Sequence, residues 1–494
     1  MLQGKFFIKN TLSNYGIIVL RMLIGIWALP VYLQAFGKEY YGLFLLAFEL
    51  PQILSFLDMG AAKSVLRFTA QYRLDKDIDK YQQSLSVNIT LAVFTSFIVA
   101  LAILGVGFTS FYIYDLDGDQ YKTAIGLFAV SAVCSFFIFL DFIPQNILSG
   151  SNIFHDRNKI QLVSVLYSLC LVAAVKYAGI SLFGFSLLFA IGYLLIFFLD
   201  IWLIQQKKIL ADVAIKLVSF SQVIKSGLLG YNLQLFSLSL IAVFSSQADK
   251  QIVGIVVSVQ AVTVYVIITK AYYVARGLLA NIYTVMRPSL AVAKQYPVAY
   301  MQKFFLTTTQ SIALVLALLS VYLYFLWPVL SNIWLRNNEY AVYSAFVSLS
   351  VINLALSALA GTFISYFTLT DEALVVVKTD FFTVLINVII SVICCFKFGP
   401  AGAIMGTTAQ MLLNAVWYIY LGWRKKLIHF PSYFSIGFIS LAVVFIFDYL
   451  VMANFILPLS IQVLICFLTS LFVLYHLYRL NIYSMLTKKI NAAV

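Results

Sequence analysis

Long apolar runs alternate with short polar interruptions along the whole chain, and the runs are far longer than strands. A membrane-spanning helix needs about 20 apolar residues, since each adds about 1.5 Å across a hydrocarbon core about 30 Å thick. Runs of that length lie near 12–36, 42–66, 84–108, 122–148, 160–178, 181–204, 226–247, 255–286, 304–328, 341–369, 378–398, 401–423, 432–452 and 457–478. They predict an all-α polytopic membrane protein with about fourteen transmembrane helices. Pro30, Pro51, Pro144 and Pro328 fall inside runs and Pro288 just past the end of the eighth, and they predict kinks there.

Composition narrows what such a chain can do. Of 494 residues, 63% are hydrophobic and 10% charged, against about 25% charged in soluble domains. The longest hydrophilic stretches, near 67–83 and 205–225, are too short for a separate catalytic domain, which wants about 50 residues or more. A membrane-anchored soluble enzyme is excluded, and the chain reads as a non-enzyme without a cofactor. Met1 to Asn10 is short and basic, and the run after it contains Arg21 and lacks a small-residue cleavage site, so it reads as an uncleaved first span.

Charge adds orientation. The net charge of +13 is spread over short loops and forms no groove-sized patch, which argues against nucleic acid. With the N-terminus inside, 23 basic residues fall in inner segments and 6 in outer ones, so both termini are expected in the cytoplasm. Three basic residues, Arg21, Lys270 and Arg276, remain inside spans.

A shift of 221 residues lays Lys176 on Lys397, Trp202 on Trp423, Arg157 on Lys378 and Glu49 on Lys270, with span boundaries and membrane sides in agreement. The expected organisation is two pseudo-symmetric six-helix bundles, 1–215 and 216–428, followed by two extra helices and a cytoplasmic tail over 429–494. Six spans per unit keep both halves in the same orientation, the layout of transporters with a site between the halves that opens alternately to each side.

Ionisable groups inside spans cost about 2.5–3.5 kcal/mol each on insertion scales, so each calls for a reason. At 100° per residue Arg21 shares a helix face with Asn14, Gly25, Ala28 and Tyr32. Tyr265, Tyr272, Arg276 and Tyr283 are spaced 7, 4 and 7 apart, close to one line of the eighth span. Guanidinium forks bind phosphate oxygens and aromatic rings stack on sugars, so this face suits a phosphorylated sugar. Packing or an interface belt is the other reading of the tyrosines, and an ion pair with Glu49 or Asp58 the other reading of the arginines. Polar stripes run along the tenth span (Ser350, Asn353, Ser357, Gly361, Thr368), the fourth (Ser131, Ser135, Gln145, Ser149) and the seventh (Asn232, Ser239, Ser246), and serve either helix packing or a hydrated cleft. Glu49, Asp58, Asp141 and Asp380 are candidate coupling acids, with a turn cap as the alternative for Asp58.

Three near-motifs are set aside. Gly60-Ala61-Ala62-Lys63-Ser64 lacks the Gly-Lys pair of a P-loop. Asp115-Leu116-Asp117-Gly118-Asp119 has the wrong glycine for a calcium loop and no Glu at its twelfth position. Five cysteines inside apolar runs and isolated His155, His429 and His476 point to no metal site.

Leu29-Pro30 through Phe36-Gly37-Lys38-Glu39-Tyr40-Tyr41-Gly42-Leu43, then Leu57-Asp58-Met59-Gly60 and Leu66-Arg67, resemble the opening of bacterial polysaccharide transporters. These are the O-antigen and exopolysaccharide repeat-unit flippases of the multidrug/oligosaccharidyl-lipid/polysaccharide exporter superfamily. Pro144-Gln145-Asn146 to Lys159, and Asp249-Lys250 with Gly254 and Tyr265, resemble them too, and the likeness in length and layout covers the whole chain. It implies flipping of an undecaprenyl-pyrophosphate-linked oligosaccharide from the cytoplasmic to the periplasmic leaflet of the inner membrane, through a cationic cavity between two lobes. By span, it gives Arg21 and Arg276, with Lys270, the role of cavity cations. Asn14, Tyr32, Tyr265, Tyr272, Tyr283, Asn353 and Ser357 would then be the sugar contacts. The partners implied are that lipid-linked oligosaccharide, membrane lipids, and a polysaccharide polymerase and chain-length regulator. The alternatives are a cation-coupled multidrug exporter of the same superfamily, which typically has twelve spans, and a membrane-embedded polymerase or acyltransferase, against which the short outer loops argue.

Overall fold

The computed structural model describes residues 4–225 and 247–429, apart from positions 59, 76, 152, 212, 292–296 and 370–371, together with 236, 240, 467–471 and 473–475. All regular structure among them is helical. Eight helical runs are long and apolar enough to cross a membrane, or nine if a bent pair counts as one span. Two of the eight, Gly16–Asp58 and Leu374–Arg424, each hold two of the expected spans. The expected spans at 226–247 and 432–452, and most of 457–478, lie outside the described residues. The chain is an all-α, multi-pass membrane protein.

Its surface chemistry is that of a protein dissolved in lipid. Phe97, Phe108 and Phe396 are 58%, 62% and 77% exposed, whereas Asn88, Ser131 and Gln310 are fully buried. In water this distribution would leave large apolar patches unexplained; in hydrocarbon, polar groups must find partners inside the protein.

The chain divides into two compact units, Met1–Thr263 and Val264–Val494. The first contains α1 (Gly4–Ile53), α2 (Ala61–Asp75), α3 (Ile78–Ile113), α4 (Gly118–Gly150), α5 (Phe154–Ala178), α6 (Leu182–Gln206) and the short α7 (Phe220–Lys225). Helix α1 is kinked at Gly37, whose φ of 76° and ψ of 169° only glycine adopts without strain, and the kink separates the first two expected spans. The second span is shorter than the apolar run suggests. It ends at Ile53, a 3-10 turn covers Leu54–Asp58, and α2 restarts at Ala61. Pro51 withdraws a backbone donor just before the break, and Asp58 accepts a hydrogen bond from the Gly60 amide at 2.9 Å beyond it. Asp58 therefore caps a turn.

Helix starts follow from local side chains. Asp77 accepts from the Lys80 amide, and Ser181 from the Gly184 amide. Asp117 accepts from the amides of Asp119 and Gln120, while the Gln120 side chain reaches back to the Asp117 amide. That capping box accounts for the acidic 115–119 stretch. Helix α4 lies against α3 and α6, and α5 against α1 and α6.

In the second unit, α8 (Val259–Ile268), which begins just before the division, and α9 (Lys270–Ala291) form the bent pair, at 54°. Helices α10 (Val298–Leu335), α11 (Ser344–Leu369), α12 (Ala373–Phe398) and α13 (Gly402–Arg424) follow. Helix α11 is the core helix, contacting α9, α10, α12 and α13. Phe305 stacks on Phe363 at 4.8 Å between ring centres, and Tyr418 is completely buried in the same cluster.

Candidate functional site

In the first unit Arg21 is exposed on α1, and its Nη2 donates to Gln161 Oε1 of α5 at 2.7 Å. Neither Glu49 nor Asp58 is its partner. Glu49, 7% exposed, instead holds Lys250 at 2.7 Å, with both side chains almost out of reach of solvent. Tyr32, on the same face of α1, belongs to an aromatic cluster: its ring lies 4.8 Å from Phe185 and 5.8 Å from Tyr41. The Asn14 side chain lies outside the described residues.

The polar stripe of α4 is spent inside this unit. Ser131 donates to the Ala47 carbonyl at 2.6 Å, and Ser135 back-bonds to Ala132 at 2.7 Å. Gln145 and Ser149 receive the guanidinium of Arg157, at 2.6 and 2.9 Å, and Gln145 in turn donates to Asp141 at 2.5 Å. Asp200 of α6, not singled out from the sequence, completes this group, fully buried beside Asp141. The signal available was a carboxyl a few residues inside the end of the 181–204 run.

Two cavities in this unit are lined by described residues. One of about 300 Å³ combines the rings of Phe48, Phe142 and Phe189 with polar Gln52, Ser55, Tyr193 and Gln247. None of these was a sequence candidate. The other, of about 550 Å³, is almost wholly aliphatic, with Gln205 and Lys208 among its lining residues.

In the second unit the expected line of tyrosines is broken. Thr269 donates from its hydroxyl to the Tyr265 carbonyl at 2.6 Å, the kind of back-bond that bends helices, and the 54° bend falls at that residue. Tyr265 ends up on α8, buried, and the others on α9. Lys270 opens α9 directly after the bend, half-buried. Arg276 stays with Tyr272: its guanidinium carbon lies 5.9 Å from the Tyr272 ring centre, and Nη1 is 3.5 Å from the Tyr272 hydroxyl. Tyr283 turns to helix packing, donating to the Ala358 carbonyl of α11 at 3.4 Å and filling the space over Gly361.

Asn353 is 1% exposed, with its amide 3.4 Å from the Ile404 carbonyl and its own oxygen unpartnered; Ser357, one turn on, is half-buried. Asp380 accepts from the Tyr418 hydroxyl at 3.1 Å. Asn232, Ser239 and Ser246 lie outside the described residues. Among the described residues no three His, Cys, Asp or Glu side chains are grouped to hold a metal ion.

No protein-family model and no curated protein matches the chain. Solved structures do. The chain is similar to the lipid II flippase MurJ in an inward closed conformation, at 17% identity and a TM-score of 0.72, over 96% of this chain and 99% of that one. It is also similar to an inward-facing multidrug resistance MATE family transporter of the MOP superfamily, at 14% identity and a TM-score of 0.63, over 84% of this chain and 98% of that one. A MOP superfamily transporter from Pyrococcus furiosus, described as having a binding pocket of reverse polarity, matches at 13% identity and a TM-score of 0.53, over 83% and 95%. These likenesses show the fold: the chain shares the all-α architecture of these flippase and transporter structures.

Proposed function

We propose that the chain is a flippase carrying an undecaprenyl-pyrophosphate-linked oligosaccharide repeat unit from the cytoplasmic to the periplasmic leaflet of the bacterial inner membrane, by alternating access, during polysaccharide or O-antigen assembly. Two lobes, 1–215 and 216–428, move against each other in this reading, with 429–494 adding two helices and both termini in the cytoplasm. The observation that carries it is the state of the span arginines. Arg21 is held by the neutral amide of Gln161, and Arg276 by the neutral ring and hydroxyl of Tyr272. Two guanidinium groups kept in spans with no acid partner among the described residues are suited to an anionic ligand, and pyrophosphate oxygens match their fork geometry. Lys270, at the start of the same helix as Arg276, adds a third cation.

The fold likeness supports a flippase over a drug exporter by length. The flippase match extends over 96% of the chain and the MATE match over 84%, a difference of about 60 residues, close to the length of segment 429–494. A hydroxyl-rich sugar cannot cross about 30 Å of hydrocarbon unaided. The aromatic and amide lining of the 300 Å³ cavity has the chemistry to hold a sugar. An inside-negative potential favours outward movement of the anion by about 2.3 kcal/mol per charge per 100 mV. A polymerase and a chain-length regulator are the expected partners downstream.

The test is charge reversal. Arg21→Glu and Arg276→Glu should each abolish polysaccharide export in cells that depend on this chain, with the protein still present in the membrane. Export that persists in both variants refutes the reading, and a matching change in drug accumulation would move the chain to the exporters.

A further inference from the structure

The first unit contains a charged group that the cation reading leaves unused. Asp141 of α4 is 5% exposed and Asp200 of α6 fully buried, and the two carboxyl groups lie within hydrogen-bonding reach of each other. Arg157, in the first turn of α5, is the other charged group acting on them. Its contact with the carboxyls is indirect: Nη2 donates to Gln145 Oε1 at 2.6 Å, Nη1 to Ser149 Oγ at 2.9 Å, and the Gln145 amide relays to Asp141 Oδ2 at 2.5 Å. Three carboxylate oxygens, Oδ1 of Asp141 and both of Asp200, are left buried with no donor.

Gln145, Ser149 and both Nη atoms of Arg157 are already committed, and Arg157 Nε, itself buried without an acceptor, donates to none of the three oxygens, so what is missing is a donor at the carboxyls. Two ionised carboxylates face to face in a low dielectric repel strongly, and one guanidinium held off by an amide leaves the group one negative charge in excess. One proton shared between facing oxygens removes that excess, supplies the missing donor and turns the repulsion into a hydrogen bond, as in other closely spaced acid pairs. We propose that Asp141 and Asp200 form a binding site for a single exchangeable proton inside the first unit, with Gln145 and Arg157 as its positioning residues.

The site's position gives it a route. Asp200 lies 6 residues before the end of α6 and Asp141 9 before the end of α4. At about 1.5 Å per residue the pair sits roughly 9–14 Å from those ends, beside Arg157 and Lys207, the side that the basic-residue count assigns to the cytoplasm. The proton leaves from a carboxyl oxygen to water on that side, and both carboxylates are then ionised. In a transporter such a site would link proton uptake to the cycle. That consequence rests on the flippase reading; the binding of the proton does not.

The experiment uses the full-length chain in lipid vesicles and infrared difference spectroscopy as pH is raised. The expected result is a carboxylic-acid C=O band that disappears with release of one proton per chain. It should shift on carbon-13 labelling of aspartate, vanish in Asp200→Asn or Asp141→Asn, and survive in Asp380→Asn. No such band in the labelled wild-type chain at any pH, a band retained by both Asp200→Asn and Asp141→Asn, or one abolished by sodium at fixed pH would each overturn the proposal. The labelled wild-type spectrum decides the matter even where a variant fails to fold. Loss of export in the arginine variants is a separate readout: a missing band leaves the flippase reading standing, and unchanged export in those variants leaves the proton site standing.

Discussion

Glu49 gives the sharpest separation between a coupling acid and a structural one. Its Oε2 lies 2.7 Å from Lys250 Nζ, and the side chains of acid and base are 8% and 13% exposed. Its other oxygen is buried without a partner, so the carboxylate depends heavily on the lysine. Removing one member of a buried pair costs about 3–5 kcal/mol, because the survivor keeps its desolvation penalty, whereas replacing both with neutral groups of similar size is often close to neutral. Lys250→Met is therefore expected to destabilise the first unit by about 3–5 kcal/mol, or roughly 6–20 °C in apparent Tm at about 2–4 °C per kcal/mol for a unit of this size. Lys250→Met combined with Glu49→Gln should recover most of that loss, giving a coupling of at least about 2 kcal/mol between the two sites. The assay is thermal unfolding of the detergent-solubilised chain, followed by size-exclusion fluorescence, for the four members of the cycle. Additive effects would show that the contact contributes nothing. A fully stable Glu49→Gln variant that cannot export would return Glu49 to the coupling acids.

Two further outcomes follow from packing and capping. A Cβ at Gly406 would run into Ser391 Oγ and lie 2.6 Å from the Asn387 carbonyl oxygen, so Gly406→Ala should part α12 from α13. It should lower stability by about 2–4 kcal/mol, once the overpacking and the strained Asn387–Gln410 bond of 2.9 Å are included, as read from apparent Tm. Asp117→Ala removes the acceptor for the amides of Asp119 and Gln120 and should cost about 1 kcal/mol in the same assay, with export unchanged.

The spans were legible because their signal is local: about 20 apolar residues in a row are apolar whatever they touch. Boundaries were less so. The second run looked continuous to residue 66, yet Pro51 and the turn at Asp58 to Gly60 end the helix earlier, and hydropathy does not register a missing donor. The tyrosine face failed for a related reason. Helical spacing assumes a straight axis, and Thr269 bends it between Tyr265 and Tyr272. The acid–arginine group was hidden differently. Asp141 reads as a span acid, Gln145 as part of a polar stripe and Arg157 as a topology signal, and only the packing of α4, α5 and α6 makes them one object. Single residues carry their chemistry in the sequence; partnerships between helices do not.

The partnerships reorder the charges. The candidate acids of the spans divide by what they touch: Glu49 has Lys250, Asp58 a backbone amide, Asp380 the Tyr418 hydroxyl, and Asp141 shares its surroundings with Asp200. Among the described residues the span arginines are held by an amide and a phenol. At about 2.5–3.5 kcal/mol each on insertion scales, Arg21 and Arg276 together carry a cost of roughly 5–7 kcal/mol that no carboxylate among the described residues offsets. A stable scaffold has no need of such residues, since neutral side chains would satisfy Gln161 and Tyr272 as well. Under the proposed flippase reading an anionic ligand that visits and leaves would use them, because cations already neutralised by the protein would have to break those pairs before binding it. The acid pair presents the converse case, an excess of negative charge matched by one proton. Anion and proton would thus be taken up by separate residues, and a cycle that links them needs only helix movement, not a shared ligand.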